Sequence, residues 1–158
     1  MFNLCCICTA LPSYRTITVA SYKKDPSVDR VHEIYRHNFS ILEQTIRFCA
    51  ARGWGLRISS SLMPLSTIHL PNLWINWEDK AFADSINRCA AAIKETGIRV
   101  SMHPGPYCVL ESENQTTVEN AVNELNWHGW LLSRLGCTQD RRSPINTHIY
   151  TSNGDMYR

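Results

Sequence analysis

Arg99-Val100-Ser101-Met102-His103-Pro104-Gly105-Pro106-Tyr107-Cys108 is the stretch on which the fold turns. A short apolar run through Ile98, Val100 and Met102 ends on His103, and the Pro104-Gly105-Pro106 turn holds Tyr107 just beyond it. The apolar run predicts a strand, and the two prolines, each with a fixed φ, predict a stiff turn. A histidine at the carboxyl end of a strand is held by a rigid element, and functional groups in α/β folds collect at that edge. A hydrogen-bonded loop histidine of purely structural role satisfies the same pattern.

The same strand, loop and helix unit recurs on both sides. Upstream, Leu4 to Cys8 reads as a first strand, with a polar connection through Lys23-Lys24-Asp25-Pro26. From Asp29 to Arg52, the residues Val31, Ile34, Tyr35, Phe39, Leu42, Ile46 and Cys49 recur at helical spacing, and Gly53 supplies the stop. A second strand, Leu56 to Leu62, leads through a loop with His69, Trp74 and Trp77 to a helix from Lys80 to Thr96, stopped by Gly97. After the strand Ile98 to Met102 comes a helix from Thr117 to Leu135, with Thr116 and Glu119 as a capping box and Gly136 as its close. A fourth strand, Ile145 to Tyr150, follows Pro144.

Strands alternating with helices predict an α/β fold with a parallel sheet covered by helices. A (β/α)₈ barrel takes about 250 residues. The four units therefore correspond to roughly half of a TIM barrel, and residues 1–158 are expected to form one half-barrel domain. No internal repeat, low-complexity tract or linker interrupts it.

Composition narrows the class. With 44% hydrophobic residues the chain has the makings of a packed core, which excludes a disordered or fibrous protein. A net charge of +2 gives no general mandate for nucleic acid, and Arg141-Arg142 is the one basic pair that stands out. Met1 to Leu11 is apolar but lacks the basic start and unbroken hydrophobic core of a signal peptide. No segment approaches the ~20 apolar residues of a membrane span, so a soluble intracellular protein is expected. The 7 cysteines are scattered through apolar segments and read mostly as reduced thiols; adjacent Cys5 and Cys6 would point to opposite faces of a strand.

Three histidines fall at one predicted edge: His69 after strand two, His103 at the end of strand three and His148 at the end of strand four. Convergent imidazoles of this kind can hold a divalent first-row metal, which activates water and polarises a phosphate. Phosphodiesterase sites add bridging carboxylates that hold two ions about 4 Å apart. Glu78, Asp79, Glu111, Glu113 and Asp155 lie near the edge, and none has the position of a ligand. His32, His37 and His128 fall inside helices and read as surface or interface residues.

The segments Asn3-Leu4-Cys5-Cys6-Ile7, Leu56 to Leu65 with His69 following, Arg99 to Gly105, and Ile145-Asn146-Thr147-His148 occur in the order and spacing of one family. The chain resembles the UV damage endonucleases, over the amino-terminal half of that family. The resemblance implies a TIM-barrel fold and a metal-dependent DNA repair endonuclease that nicks 5′ to UV photoproducts. It implies a divalent metal, Mn²⁺ above Zn²⁺ or Mg²⁺, with His69, His103 and His148 as ligands. It also implies that Tyr107 is the aromatic half of a Gln-Tyr pair that probes damaged DNA. Pro106 stands where that family has the glutamine, and the acidic and further histidine ligands that the family carries on later strands have no counterpart in these segments.

Two other readings accompany the enzyme. One is a non-catalytic half-barrel that binds damaged DNA, a second copy or a complementing chain through open sheet edges at strands one and four. The other is an inactive truncated product. Trp127 and Trp130, like Trp74 and Trp77, read first as core and helix-packing residues.

Overall fold

In a computed structural model, residues 2–68, 70, 73, 80–137 and 142–147 are described. Their elements run β1 (Asn3–Cys5), α1 (Val19–Lys24), α2 (Val28–Ala50), β2 (Gly55–Ser59), a 3₁₀ turn (Ser60–Leu62), α3 (Lys80–Thr96), β3 (Val100–His103) and α4 (Gln115–Arg134). The sheet has the order β1-β2-β3 and both pairings are parallel. Past β3, Ile145 adds a parallel bridge to Met102, where Met102 N–H donates to Pro144 O at 3.1 Å and Asn146 N–H donates to Met102 O at 3.0 Å. That bridge begins the predicted fourth strand, whose later residues lie outside the described ones.

The sheet's two faces differ because its strands alternate. Leu56, Ile58, Val100 and Met102 are buried in one core with the apolar stripes of α2, α3 and α4. The odd positions Asn3, Cys5, Arg57, Ser59, Arg99, Ser101 and His103 put a polar row on the opposite face. A parallel sheet buried on both faces would be apolar throughout. Here one face builds the core, and the other carries the polar side chains.

Helix α2 forms as its periodicity predicts. Ser27 caps it by accepting from Arg30 N–H at 3.2 Å, and Val31, Ile34, Tyr35, Phe39, Leu42, Ile46 and Cys49 are all buried. Phe82 of α3 meets Phe39 edge-on at 5.5 Å and Tyr35 at 6.1 Å, locking the two helices together. Gly53 ends α2 at φ +65, and Trp54 N–H reaches back to Cys49 O at 3.0 Å. Gly136 does the same for α4 at φ +73, with Cys137 N–H on Leu132 O at 2.9 Å.

Several elements depart from the sequence reading, among them β3, which runs Val100–His103 rather than Ile98 to Met102. Strand β1 stops at Cys5 rather than Cys8, because Cys6 turns to φ 66. Strand β2 stops at Ser59, whose hydroxyl accepts from Ser61 N–H and starts the 3₁₀ turn. The polar connection contains α1, capped by Thr18 and anchored by buried Tyr22. Helix α4 starts earlier than Thr117: Asn114 is its cap, accepting from Thr117 N–H at 3.1 Å, so Thr116 and Glu119 do not form the capping box. No helix among the described residues is long and apolar enough to cross a membrane.

Candidate functional site at the carboxyl edge of the sheet

His103 is the last residue of β3 and stands opposite Ser59 at the end of β2. It therefore lies at the carboxyl edge of the polar face, half-buried. Its Nδ1 is 3.5 Å from Cys6 Sγ, which the bend after β1 carries to the same edge. Cys5 Sγ in turn accepts from the Arg57 guanidinium and lies 3.8 Å from Cys6 Sγ. The two cysteines thus do not point to opposite faces, because Cys6 leaves the extended conformation that the alternation rule assumes. The Arg57 contact holds the Cys5 thiol below its ordinary value, and burial raises that of Cys6.

The turn after His103 is fixed from below. Gly105 N–H donates to Glu124 Oε1 of α4 at 2.7 Å, and Cys108 N–H closes the turn on Gly105 O at 3.0 Å. Cys108 is buried, which pushes its thiol up to about 11, and its Sγ donates to Ala121 O at 3.7 Å. With both ends of the turn held, Tyr107 projects with 87% of its surface exposed. The aromatic ring is therefore presented to the outside on a held turn beside the strand-end histidine.

His128 of α4 is a correction to the sequence reading. It is 1% exposed, not on the surface, and burial together with the nearby charge of His103 lowers its pKa to about 4. Its Nδ1 has no hydrogen-bond partner among the described residues. The signal was present: Ala121, His128, Leu132 and Leu135 fall on one helical stripe, all four buried. His32 and His37 are half-buried on α2, with His37 Nε2 3.4 Å from Ser13 O. Trp127 and Trp130 pack against the core, as their spacing predicted.

His69 and His148, with Trp74, Trp77, Glu78, Asp79 and Asp155, lie outside the described residues. Glu111 and Glu113 are exposed. Among the described residues no three His, Cys, Asp or Glu side chains converge as a metal-binding group. His103 is thus the one member of the expected histidine set that is placed. An imidazole is a donor type that manganese or zinc accepts, and His103 offers one such nitrogen at this edge. All 7 cysteines are free thiols.

The model of the family described as UV-endonuclease UvdE matches residues 2–157. A UV DNA damage endonuclease of Bacillus cereus is 32% identical over 139 residues, covering 85% of this chain and 42% of its own length. One of Clostridium perfringens is 30% identical over 133 residues, covering 84% of this chain and 31% of its own. One of Bacillus velezensis is 29% identical over 157 residues, covering 97% and 47%. The crystal structure of SacUVDE superposes with a TM-score of 0.79 at 27% identity, over 97% of this chain and 50% of that one. The chain thus spans about a third to a half of the length of these relatives, and its parallel (β/α) units correspond to half of the TIM barrel of that structure. Its strands, its His103 rim and a family match running from end to end agree, and the chain belongs to the UV-endonuclease UvdE family.

Proposed function

We propose that this chain forms the first (β/α) units of a DNA repair endonuclease that cleaves a phosphodiester 5′ to a UV photoproduct. Its ligands for a divalent metal, Mn²⁺ before Zn²⁺ or Mg²⁺, are His69, His103 and His148. The observation that carries this reading is the position of His103. It stands at the carboxyl end of β3, on the polar face, one turn away from the exposed ring of Tyr107. Substrate sites of α/β folds form at that edge.

A metal bound there supplies a Lewis acid for the phosphate and lowers the pKa of water. The chain's own residues do the rest. Strand β3 fixes the His103 imidazole, the Glu124 contact fixes the turn, and Tyr107 stacks against a base at the lesion. Opening a base step costs a few kcal/mol, least at a damaged base, and stacking offsets part of that cost. Pro106 leaves the tyrosine without the hydrogen-bonding neighbour that the resembled family has, so the recognition rests more heavily on the ring.

A second reading is binding of irradiated DNA without cutting. The ring of Tyr107, 87% exposed on a held turn, supports it, because stacking on a base needs no metal. Supercoiled plasmid, UV-irradiated or not, separates the two when incubated with purified protein, Mn²⁺ or chelator. Metal-dependent nicking of irradiated plasmid alone, lost in His103→Ala, is the expected result. Retention of irradiated DNA without nicking selects the second reading. No preference for irradiated DNA in either measure overturns both.

A further inference from the structure

The bend that ends β1 builds a thiol pair that the endonuclease reading does not use. Cys6 has φ 66, a left-handed backbone that a residue with a Cβ adopts rarely. Ile7 N–H donates to Cys5 O at 2.7 Å across it, which makes Cys6 the centre of a positive-φ γ-turn, the rarer and more strained kind. Cys6 N–H is held by Arg57 O at 2.9 Å. The consequence of this held strain is chemical. Side chains of adjacent strand residues diverge, but here the two sulfurs are 3.8 Å apart.

The two thiols are not equivalent. Cys5 is exposed and its sulfur accepts from the Arg57 guanidinium, whereas Cys6 is half-buried behind it. We propose that Cys5 and Cys6 form an oxidation site, in which a hydroperoxide oxidises Cys5 and Cys6 resolves it to a vicinal disulfide. The Cys5 thiolate attacks one peroxide oxygen, the O–O bond breaks, and hydroxide leaves; sulfur loses two electrons and peroxide gains them. The Cys6 thiol then attacks the Cys5 sulfenic acid, forming the S–S bond and releasing water. The Arg57 contact, which keeps Cys5 below the ordinary thiol value, raises its thiolate fraction near neutral pH.

Cα atoms across one peptide bond are closer than a relaxed disulfide spans, so the bond is readily reduced. Its formation also removes the proton from the Cys6 sulfur that lies 3.5 Å from His103 Nδ1, so that sulfur can no longer donate to the imidazole. Oxidation therefore changes the surroundings of the strand-end histidine reversibly.

The test uses the full chain, reduced, treated with dilute hydrogen peroxide near pH 7 and read by peptide mass spectrometry. The peptide carrying Cys5 and Cys6 is expected to lose two hydrogens, to regain them with dithiothreitol, and to do so equally in Cys8→Ser. Cys6→Ser is expected to trap a sulfenic acid at Cys5 as its dimedone adduct, and Arg57→Gln to slow the reaction about tenfold. Circular dichroism verifies that each variant is folded. Oxidation of Cys5 no faster than of buried Cys49 or Cys89, dependence on Cys8, no trapped Cys5 in Cys6→Ser, or an unchanged rate in Arg57→Gln each overturns the assignment.

Discussion

The backbone N–H of Gly105 donates to the Glu124 carboxylate at 2.7 Å, so a residue of α4 sets the height of the turn that carries Tyr107. A hydrogen bond to a charged acceptor contributes about 1.5–3 kcal/mol, more than a neutral one. Glu124→Ala is expected to lower the unfolding free energy by about 1–2 kcal/mol and to speed amide exchange at Gly105. Glu124→Gln keeps an oxygen acceptor and should lose less than half as much. Urea titration and exchange mass spectrometry measure both; equal losses in the two variants would remove the charge from the explanation.

Asn38 does for the amino-terminal loop what Glu124 does for the turn. It is fully buried on α2, and its amide spans three backbone groups: it accepts from Arg15 N–H at 2.7 Å and donates to Arg15 O and Leu62 O, each at 2.9 Å. Removing it leaves those groups buried without partners, which costs about 1–3 kcal/mol for each that water does not reach. Asn38→Leu, close in volume, is expected to destabilise by about 3 kcal/mol in chemical denaturation. Loss of under about 0.5 kcal/mol would mean that the loop is held by its other contacts.

Acid sensitivity should trace to His128. Its pKa falls from the ordinary 6.5 to about 4 because burial disfavours the imidazolium, with the charge of His103 adding to the effect. The unfolded chain thus binds the proton more tightly than the folded one between those values. The stability His128 gives is full above about pH 6.5 and is lost as pH falls towards 4, by an amount on the order of 3 kcal/mol. Denaturant midpoints followed from pH 7.5 to 4.5 are expected to fall for the native chain and to fall less for His128→Gln. Parallel curves would place the acid sensitivity in other groups.

These residues also mark where the sequence was legible. The buried stripe of α2 could be read directly, because seven apolar positions repeat at helical spacing and a glycine ends them. Strand β3 and its turn were legible because prolines and a histidine punctuate a short apolar run. Helix α1 was not, since it is six residues long and depends on one buried tyrosine rather than on a stripe. The Cys5, Cys6 and Arg57 cluster was hidden for a different reason. It arises from a single positive φ at Cys6 and from pairing between β1 and β2, neither of which local pattern encodes. His128 is buried because its helical position, in line with Ala121, Leu132 and Leu135, outweighs the polar residue type that favours the surface.

Tyr107 tests the functional reading with little risk to the fold. Its ring is 87% exposed, so truncation removes almost no packing, and Tyr107→Ala should change the unfolding free energy by under about 0.5 kcal/mol. If the ring stacks on a base at the lesion, the same substitution costs about 1–3 kcal/mol of binding, roughly a 5- to 150-fold rise in Kd for UV-irradiated duplex. Undamaged duplex, held through its phosphates, should be affected far less. Tyr107→Phe keeps the ring face and is expected to bind within about threefold of the native chain, because stacking depends on the π surface more than on the hydroxyl. Fluorescence anisotropy on both duplexes at fixed salt decides it. Native-like affinity in Tyr107→Ala would take the ring out of lesion contact and leave the polar face of the sheet to carry DNA recognition.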